Sequence, residues 1–413
     1  MTPIAVSVIV VSHGRPDALP RCLTGLAQQD YPAMEIVVVA DTAGLNAVRR
    51  HPLADHIRTA RCDRANISAA RNIGLAMAAG PIVAFIDDDA VPEPTWLTHL
   101  TAPFADPDIA AAGGFVLARN GISLQWGARM VFADGRTADL PVSVDDPFIV
   151  TGAAGRAAKT EGTNMAFRRD VLIGIGGFDE AFAFYLDETD VNMRLAAKDA
   201  KTAIVPLAQV HHGFAAGARR RPDRVPRDLT QIGASLAVFA RKHGPTDHPG
   251  ARIARHEQRL RLLRHMVAGR LLPGDVHGLM QGFDAGWQDG LKRTTGQHPT
   301  FDANNTFQPL PTRVRSHKVL NGRFWQSANL HRVAAALVRD GFIVSLYLWS
   351  FTARSHRVRF TDDGVWCQTG GQFGKSDRRD PPFRAWTARR RVAREVARTA
   401  PVRVPSTPDS AGS

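Results

Sequence analysis

The sequence predicts an α/β protein whose first half is a mostly parallel sheet flanked by helices, followed by a basic helical region and a small α+β unit. Three observations predict it. Short apolar runs rich in β-branched residues alternate with helix-patterned stretches through roughly the first 210 residues. Two of those runs, residues 35–40 and 81–86, pass directly into aspartates, Asp41 and Asp87. The charge also changes sign along the chain: residues 1–215 hold 18 Lys+Arg against 24 Asp+Glu, whereas residues 216–413 hold 34 against 15.

Residues 5–11 (AVSVIVV) form a buried strand, and residues 16–29 a helix with Pro16 in its first turn. Residues 35–40 (EIVVVA) are the second strand, a helix over 68–79 closes at Gly80, and residues 81–86 (PIVAFI) are the third strand. Between Gly113 and Lys159, Gly, Asp and Pro interrupt every run, so long loops that shape a site are expected there. A strand over 163–168, a helix over 188–198 and a strand over 202–205 follow, and residues 219–222 read as a linker.

Helices are expected over 228–243, 251–272 and 275–292. In the second, Ile253, Leu260, Leu263, Val267 and Leu271 make an apolar stripe, while Arg252, Arg255, Arg259 and Arg264 fill much of the rest. Such a helix either lies on an anionic membrane or packs its stripe on the protein. The last unit, 313–370, holds a helix over 327–339, a strand over 342–349 and two short strands about Asp363-Gly364. Residues 320–348 resemble one βα unit of a Rossmann-like half, but without GxGxxG no nucleotide is assigned to them. Residues 384–398 read as a basic helix and the final dozen as disordered. The expected division is 1–215, 216–312, 313–400 and a tail, 401–413.

The bulk numbers narrow the function classes. A chain of 413 residues suits two or three domains. No stretch reaches the ~18 consecutive apolar residues of a membrane span. The apolar start lacks a basic n-region and a small-residue cleavage site, so no signal peptide is expected. Cys22, Cys62 and Cys367 are scattered and unpaired by spacing, which argues against a disulfide framework or zinc site and fits a reducing cytosol. The arginines of the back half lack interleaved aromatics, which disfavours nucleic acid. Attraction to an anionic membrane surface is the sharper reading of that basic half, and simple solubilisation the plainer one.

Chemistry concentrates in the front half. Asp87-Asp88-Asp89 ends an apolar strand, and in open α/β sheets ligands bind at the carboxyl ends of strands. Three adjacent carboxylates repel unless a cation sits among them, and Mg²⁺ or Mn²⁺ commonly bridges such carboxylates to phosphate. A solvated acidic turn is the alternative. Asp41 ends the neighbouring strand on the same edge, suited to accept a hydrogen bond from a base or ribose, and Arg71 and Asn72 precede the acidic strand, suited to phosphate or ribose.

The segments SVIVVSHGRP, EIVVVAD, NISAARNIGLAMAAG, PIVAFIDDDAVP, EGTNMAFRR, GGFDE and YLDETDVNMRL occur in an order that resembles glycosyltransferase family 2 enzymes of the GT-A fold. The resemblance covers about the first half and ends near His212. It implies a GT-A type nucleotide-diphospho-sugar transferase domain. It further implies that Asp41 contacts the nucleotide base, that Ser12, Arg15, Arg71 and Asp88 lie on the donor, and that Asp87 and Asp89 form the DxD element holding the diphosphate with Mn²⁺ or Mg²⁺. His212 stands where some members use a histidine to complete the metal shell. Asn164 and the turn at Gly177 and Phe178 would border the acceptor.

The second acidic cluster, Asp187-Glu188-Thr189-Asp190, departs from the family pattern. Family members usually read Glu-Asp here, and the second residue deprotonates the acceptor hydroxyl. The reversed order puts Glu188 in the base position and leaves Asp187 and Asp190 as competitors. A helix start decorated with acids to suit its dipole is the structural alternative. The expected activity is inverting, metal-dependent transfer from a nucleotide sugar, UDP- or dTDP-linked in this family's usual case. The expected acceptor is a glycan or lipid-linked acceptor in cell-surface polysaccharide or glycolipid synthesis, with the chain cytoplasmic and peripheral at the inner membrane face. Two readings compete: a non-catalytic nucleotide-sugar or glycan-binding protein, and a nucleotidyltransferase, for which the loop Ser12-His13-Gly14-Arg15 is too short.

Overall fold

The computed structural model describes residues 3–141, 145–213, 217, 219–245, 249–296, 299–301, 305–311 and 315–405. The expected boundaries at 215/216 and 312/313 therefore fall outside the described residues, as do residues 406–413 of the tail.

Strands and helices alternate at the start: β1 (Val6–Ser12), α1 (Leu19–Leu26), β2 (Met34–Ala40), α2 (Thr42–Arg49), β3 (Ile57–Arg61), α3 (Ile67–Met77) and β4 (Ile82–Asp87). Of these, α2 and β3 were not expected, so the strand that ends on Asp87 is the fourth and not the third. β1 lies parallel to both β2 and β4, and β2 parallel to β3. Strand periodicity of two divides β1 between two cores. Val6, Val8 and Val10 pack with Leu19 and Leu23 of α1, and Ile9 and Val11 pack with Leu75 of α3. A strand covered on both faces needs a continuous apolar run, which is why VSVIVVS shows no polar alternation. Helix α3 ends differently from expectation. Its C-cap is Ala78 in extended backbone, and Gly80 instead marks close approach, since a Cβ there would meet Ser7 N at 2.8 Å.

β5 (Ala90–Pro92) and α4 (Trp96–Thr101) follow. The region expected as long loops is built of strands: β6 (Ile109–Leu117), β7 (Leu124–Trp126), β8 (Arg129–Phe132), β9 (Thr137–Asp139), β10 (Phe148–Thr151) and β11 (Arg156–Ala158). Several are only three or four residues long, too short for a local period to announce them, and β10 is held by a partner far along the chain, with Phe148 opposite Ile204. Gly113 and Gly114 read as breakers but lie inside β6, where a Cβ at Gly114 would sit 2.0 Å from Ala208 O. Next come β12 (Met165–Arg168), α5 (Arg169–Gly174), α6 (Asp187–Ala196) and β13 (Lys201–His212). β13 far exceeds the four residues expected, because it passes Pro206 through a register shift between Val205 and Gln209. The large sheet runs β10-β13-β6-β12-β4-β1-β2-β3, with β5 on β13 and β7 on β6.

Helices α7 (Thr230–His243), α8 (Pro249–Val267) and α9 (Pro273–Gly290) pack around Phe239, Leu262 and Phe283. The apolar stripe of α8 divides: Leu271, just beyond the helix, and Leu263 pack inward with Leu262, whereas Ile253, Leu260 and Val267 are exposed. These three recur every seven residues, so one helix face carries them all.

The C-terminal sheet, β14-β15-β17-β16, comprises β14 (His317–Arg323), β15 (Ile343–Ser350), β16 (Arg357–Phe360) and β17 (Val365–Gly371). α10 (Ser327–Arg339) links the parallel pair β14 and β15, which is the βα unit expected. α11 (Ala388–Arg403) continues past residue 398 and contains Pro401, so residues 401–403 belong to this helix and not to a tail.

His356 in this unit is buried, with its ring nitrogens 2.8 Å from Gly371 O and Gln368 Nε2. Burial, reinforced by Arg391, lowers its pKa to about 4, and His317 is lowered to about 4 by burial and Arg403. The unfolded chain takes up these protons near pH 6.5 and the folded chain only near pH 4. Stability therefore falls as pH drops through that window. We expect denaturant midpoints to decline from pH 7 to pH 4.5, and His356→Gln to flatten part of that slope. An equally steep slope in the variant would refute the assignment.

Candidate functional site

Because β1 and β4 are parallel and in register, Val11 pairs with Asp87 and both strands deliver their polar ends to one edge. Ser12 Oγ donates to Asp88 Oδ2 at 2.6 Å, and the Arg15 guanidinium lies 2.6 Å from Asp88 Oδ1 and 3.2 Å from Asp89 Oδ2. Asp88 is wholly buried, and burial outweighs the pull of Arg15 to raise its pKa to about 7. Asp41 caps α2 by accepting from Gly44 N at 2.8 Å and also accepts from Gly14 N at 2.6 Å. Gly14 is left-handed (φ 67°), which lets the Ser12–Arg15 loop fold back between these two carboxylates. Asp41 and Asp88 thus hold the loop, and Asp88 faces Ser12 and Arg15.

Asp87, Asp89 and His212 each present one donor atom, all within 4.8 Å of one another. β5 supplies the reason: it lies antiparallel on β13 with Ala90 opposite His212, and Gly213 N donates to Asp89 O at 2.7 Å. His212 Nε2 is 3.3 Å from Asp89 Oδ1, and its Nδ1 is 3.3 Å from Gln125 Oε1, a partner that orients the ring. Two carboxylates and one imidazole at this spacing fit a divalent cation of the Mn²⁺ class. Thr163 Oγ1 donates to Asp87 Oδ2 at 2.5 Å, and Arg220 reaches to 4.0 Å from Asp89. The stretch expected as a linker therefore borders the site.

Arg71 joins this acidic edge to the second cluster. Buried between the rings of Phe85 and Phe178, it pairs with Asp187 through Nη1, while Nη2 lies 3.5 Å from Asp87 Oδ1 and donates to Gly162 O at 3.0 Å. Tyr185 and Leu186 both have left-handed backbone (φ 76° and 65°), an arrangement that side-chain-bearing residues adopt only under strong constraint. That turn starts α6 at Asp187 and places Asp187 and Glu188 beside Arg71 and Lys159. Lys159 Nζ is 3.4 Å from Glu188 Oε1 and 2.9 Å from Glu161 Oε2. Burial opposes ionisation of Glu188, but Lys159 and Arg71 outweigh it and keep its pKa below the ordinary value. Asp187 is pushed up to about 7 by burial, against Arg71 and with Glu188 adding to the rise.

Four predicted residues lie elsewhere. Asp190 points to α7, caged by Arg194, Lys242 and His243 at 2.8 Å each, and burial is overcome so that its pKa is well below the usual carboxylate range. Asn164 is buried, receiving Trp96 Nε1 at 2.8 Å and donating to Phe115 O and Ala208 O. Phe178 is fully buried, edge-on to Phe85 at 5.2 Å. Gly177 is left-handed (φ 66°) and pressed against Asn72 and Phe301. These residues support the site from within. Lys159, Glu161, Thr163 and Gln125 were missed: Gln125 and Lys159 sit in the stretch expected as loops, and Glu161 and Thr163 lie in the segment EGTNMAFRR, of which only Asn164 was singled out.

Residues 7–174 match the sequence model of Glycosyl transferase family 2. An N-acetylglucosaminyltransferase of Bradyrhizobium elkanii is 30% identical over 126 residues, 28% of this chain and 68% of that protein. The chain belongs to glycosyltransferase family 2. Its family 2 region is a GT-A type α/β domain. It is also similar to the glucosyl-dolichyl phosphate glucuronosyltransferase of Haloferax volcanii, 27% identical over 42% of this chain and 56% of that protein. The O-antigen biosynthesis protein RfbC of Myxococcus xanthus is 26% identical over 59% of this chain and 20% of that protein. The family 2 chain thus spans from a fifth to little over half of the length of these last two relatives.

Proposed function

We propose that this family 2 chain moves a sugar from a nucleoside diphosphate donor to an acceptor hydroxyl, with metal dependence and inversion. One observation carries the reading: the Asp87–Asp89–His212 donor cluster is joined through Arg71 to Asp187 and Glu188. Asp87, Asp89 and His212 would hold Mn²⁺ or Mg²⁺, which when bound neutralises charge on the departing diphosphate. Arg15 and Arg71 add positive charge on the same side, and Asp41 positions the Ser12–Arg15 loop beside the nucleotide. Glu188, kept ionised by Lys159, accepts the acceptor's hydroxyl proton. The freed oxygen forms a bond to the anomeric carbon as the bond to the diphosphate oxygen breaks, and the nucleoside diphosphate leaves with that electron pair. A single displacement inverts the anomeric centre.

UDP- or dTDP-sugars are the favoured donors, and a glycan or lipid-linked acceptor of cell-surface polysaccharide or glycolipid synthesis is the favoured acceptor. The similarity to an O-antigen biosynthesis protein supports that destination. A panel of nucleotide sugars, with and without Mn²⁺, tests the reading by melting temperature and by sugar release. Mn²⁺-dependent stabilisation with turnover supports it; binding without turnover would make this a binding protein.

No helix among the described residues is long and apolar enough to cross a membrane. The surface of α8 favours peripheral attachment to an anionic membrane at the cytoplasmic face. Exposed Ile253, Leu260 and Val267 are flanked by Arg252, Arg259 and Arg264, so apolar insertion and charge attraction act from one face. The full chain is expected to sediment with anionic liposomes at low salt and to be released near 1 M salt, where the Debye length shrinks to ~3 Å. Replacing all three apolar residues by Ser should abolish binding without lowering the melting temperature. Undiminished binding would sink the membrane reading.

A further inference from the structure

We infer that the C-terminal unit holds the metal-side residues in register through a buried contact between Arg403 and Glu93. The inference rests on the metal reading of Asp87, Asp89 and His212. Asp89 and His212 are far apart in the chain and meet because β5 pairs with β13, Ala90 opposite His212, Val91 opposite His211 and Pro92 opposite Val210. A ladder of three pairs has little register strength of its own. Glu93 extends it, its N–H donating to Gln209 O at 3.0 Å. The Glu93 carboxylate, 2% exposed, receives Arg403 Nε at 2.8 Å and Nη2 at 2.5 Å, and lies 2.8 Å from His211 Nε2.

Arg403, 1% exposed, stacks 4.3 Å from the Trp366 ring, which also lies 4.9 Å from His211. Thr95 N and Oγ1 both donate to Val402 O, and Val91 packs among Ile343, Val358, Phe360 and Trp366. The short ladder is therefore held between the large sheet and the C-terminal unit. Neither Glu93 nor Arg403 enters the proposed chemistry. A buried ion pair is weak as a source of net stability, but a bidentate guanidinium–carboxylate contact is geometrically specific. Glu93 and Arg403 are positioning residues for Asp89 and His212.

The test is Mn²⁺ affinity of the full chain, read by electron paramagnetic resonance of unbound Mn²⁺, beside the melting temperature. Arg403→Met alone leaves the Glu93 charge buried without its guanidinium counter-ion, so the decisive variant is the double Glu93→Gln, Arg403→Met. We expect it to melt cooperatively yet bind Mn²⁺ about tenfold more weakly, the scale on which outer-shell partners act. Arg403→Lys, which keeps the charge but loses the fork, should fall between. Unchanged affinity in the folded double variant overturns the inference and leaves the metal reading standing. A wild-type chain that binds no Mn²⁺ overturns both. Should the double variant fail to fold, wild-type affinity in Arg403→Lys overturns the inference.

Discussion

Asp89→Ala is expected to abolish sugar transfer, a loss of at least ~10³-fold, which matches several kcal/mol of cation stabilisation. Asp89 contributes one of the three clustered donor atoms and sits 3.3 Å from His212, so its removal leaves two donors and takes one partner from the imidazole. The side chain is 3% exposed and also pairs with Arg15, so some loss of stability accompanies the substitution. Arg15 keeps Asp88 at 2.6 Å, which limits that loss. Asp89→Asn separates the effects, since it preserves shape while removing charge. We expect its melting temperature to stay near wild type in EDTA and its Mn²⁺-dependent activity to be lost. Activity that survives both substitution and EDTA would end the metal-dependent mechanism.

Glu188→Gln is expected to lower turnover by roughly 10²–10⁴-fold, the usual contribution of a general base, with nucleotide-sugar affinity little changed. The proposal of Glu188 rests on the different surroundings of the three carboxylates. Asp190 is enclosed by Arg194, Lys242 and His243, so Asp190→Asn should lower the melting temperature and leave turnover per folded molecule intact. Asp187 is engaged by Arg71 and has its pKa raised to about 7 by burial. Glu188 has its pKa held below the ordinary value, with Lys159 as counter-ion, which favours it as the proposed base. Single-turnover rates of Glu188→Gln and Asp187→Asn decide between them. If Asp187→Asn is the crippling change and Glu188→Gln is mild, the base is Asp187.

The sequence by itself determined the strands that are buried on both faces. VSVIVVS, apolar but for Ser7 and Ser12, and the run before Asp87 have sharp ends, so their type, their parallel arrangement and the acids at their edge could be read without coordinates. The motif order likewise identified the family. It did not reveal the short strands between Gly113 and Lys159, because runs of three or four residues carry no readable period, and Gly114, which reads as a breaker, is required by the passage of Ala208. Nor did it separate Asp190 from Glu188, two positions apart on one helix. That separation comes from α7, which brings Lys242 and His243 to Asp190, while Lys159 faces Glu188. Arg71 reads locally as a helix-surface charge, and only the meeting of α3, β4 and α6 makes it the buried junction of two acidic clusters. Local patterning records which face of an element is apolar, whereas the partner of a buried charge depends on contacts across long stretches of chain, and only the tertiary structure decides those.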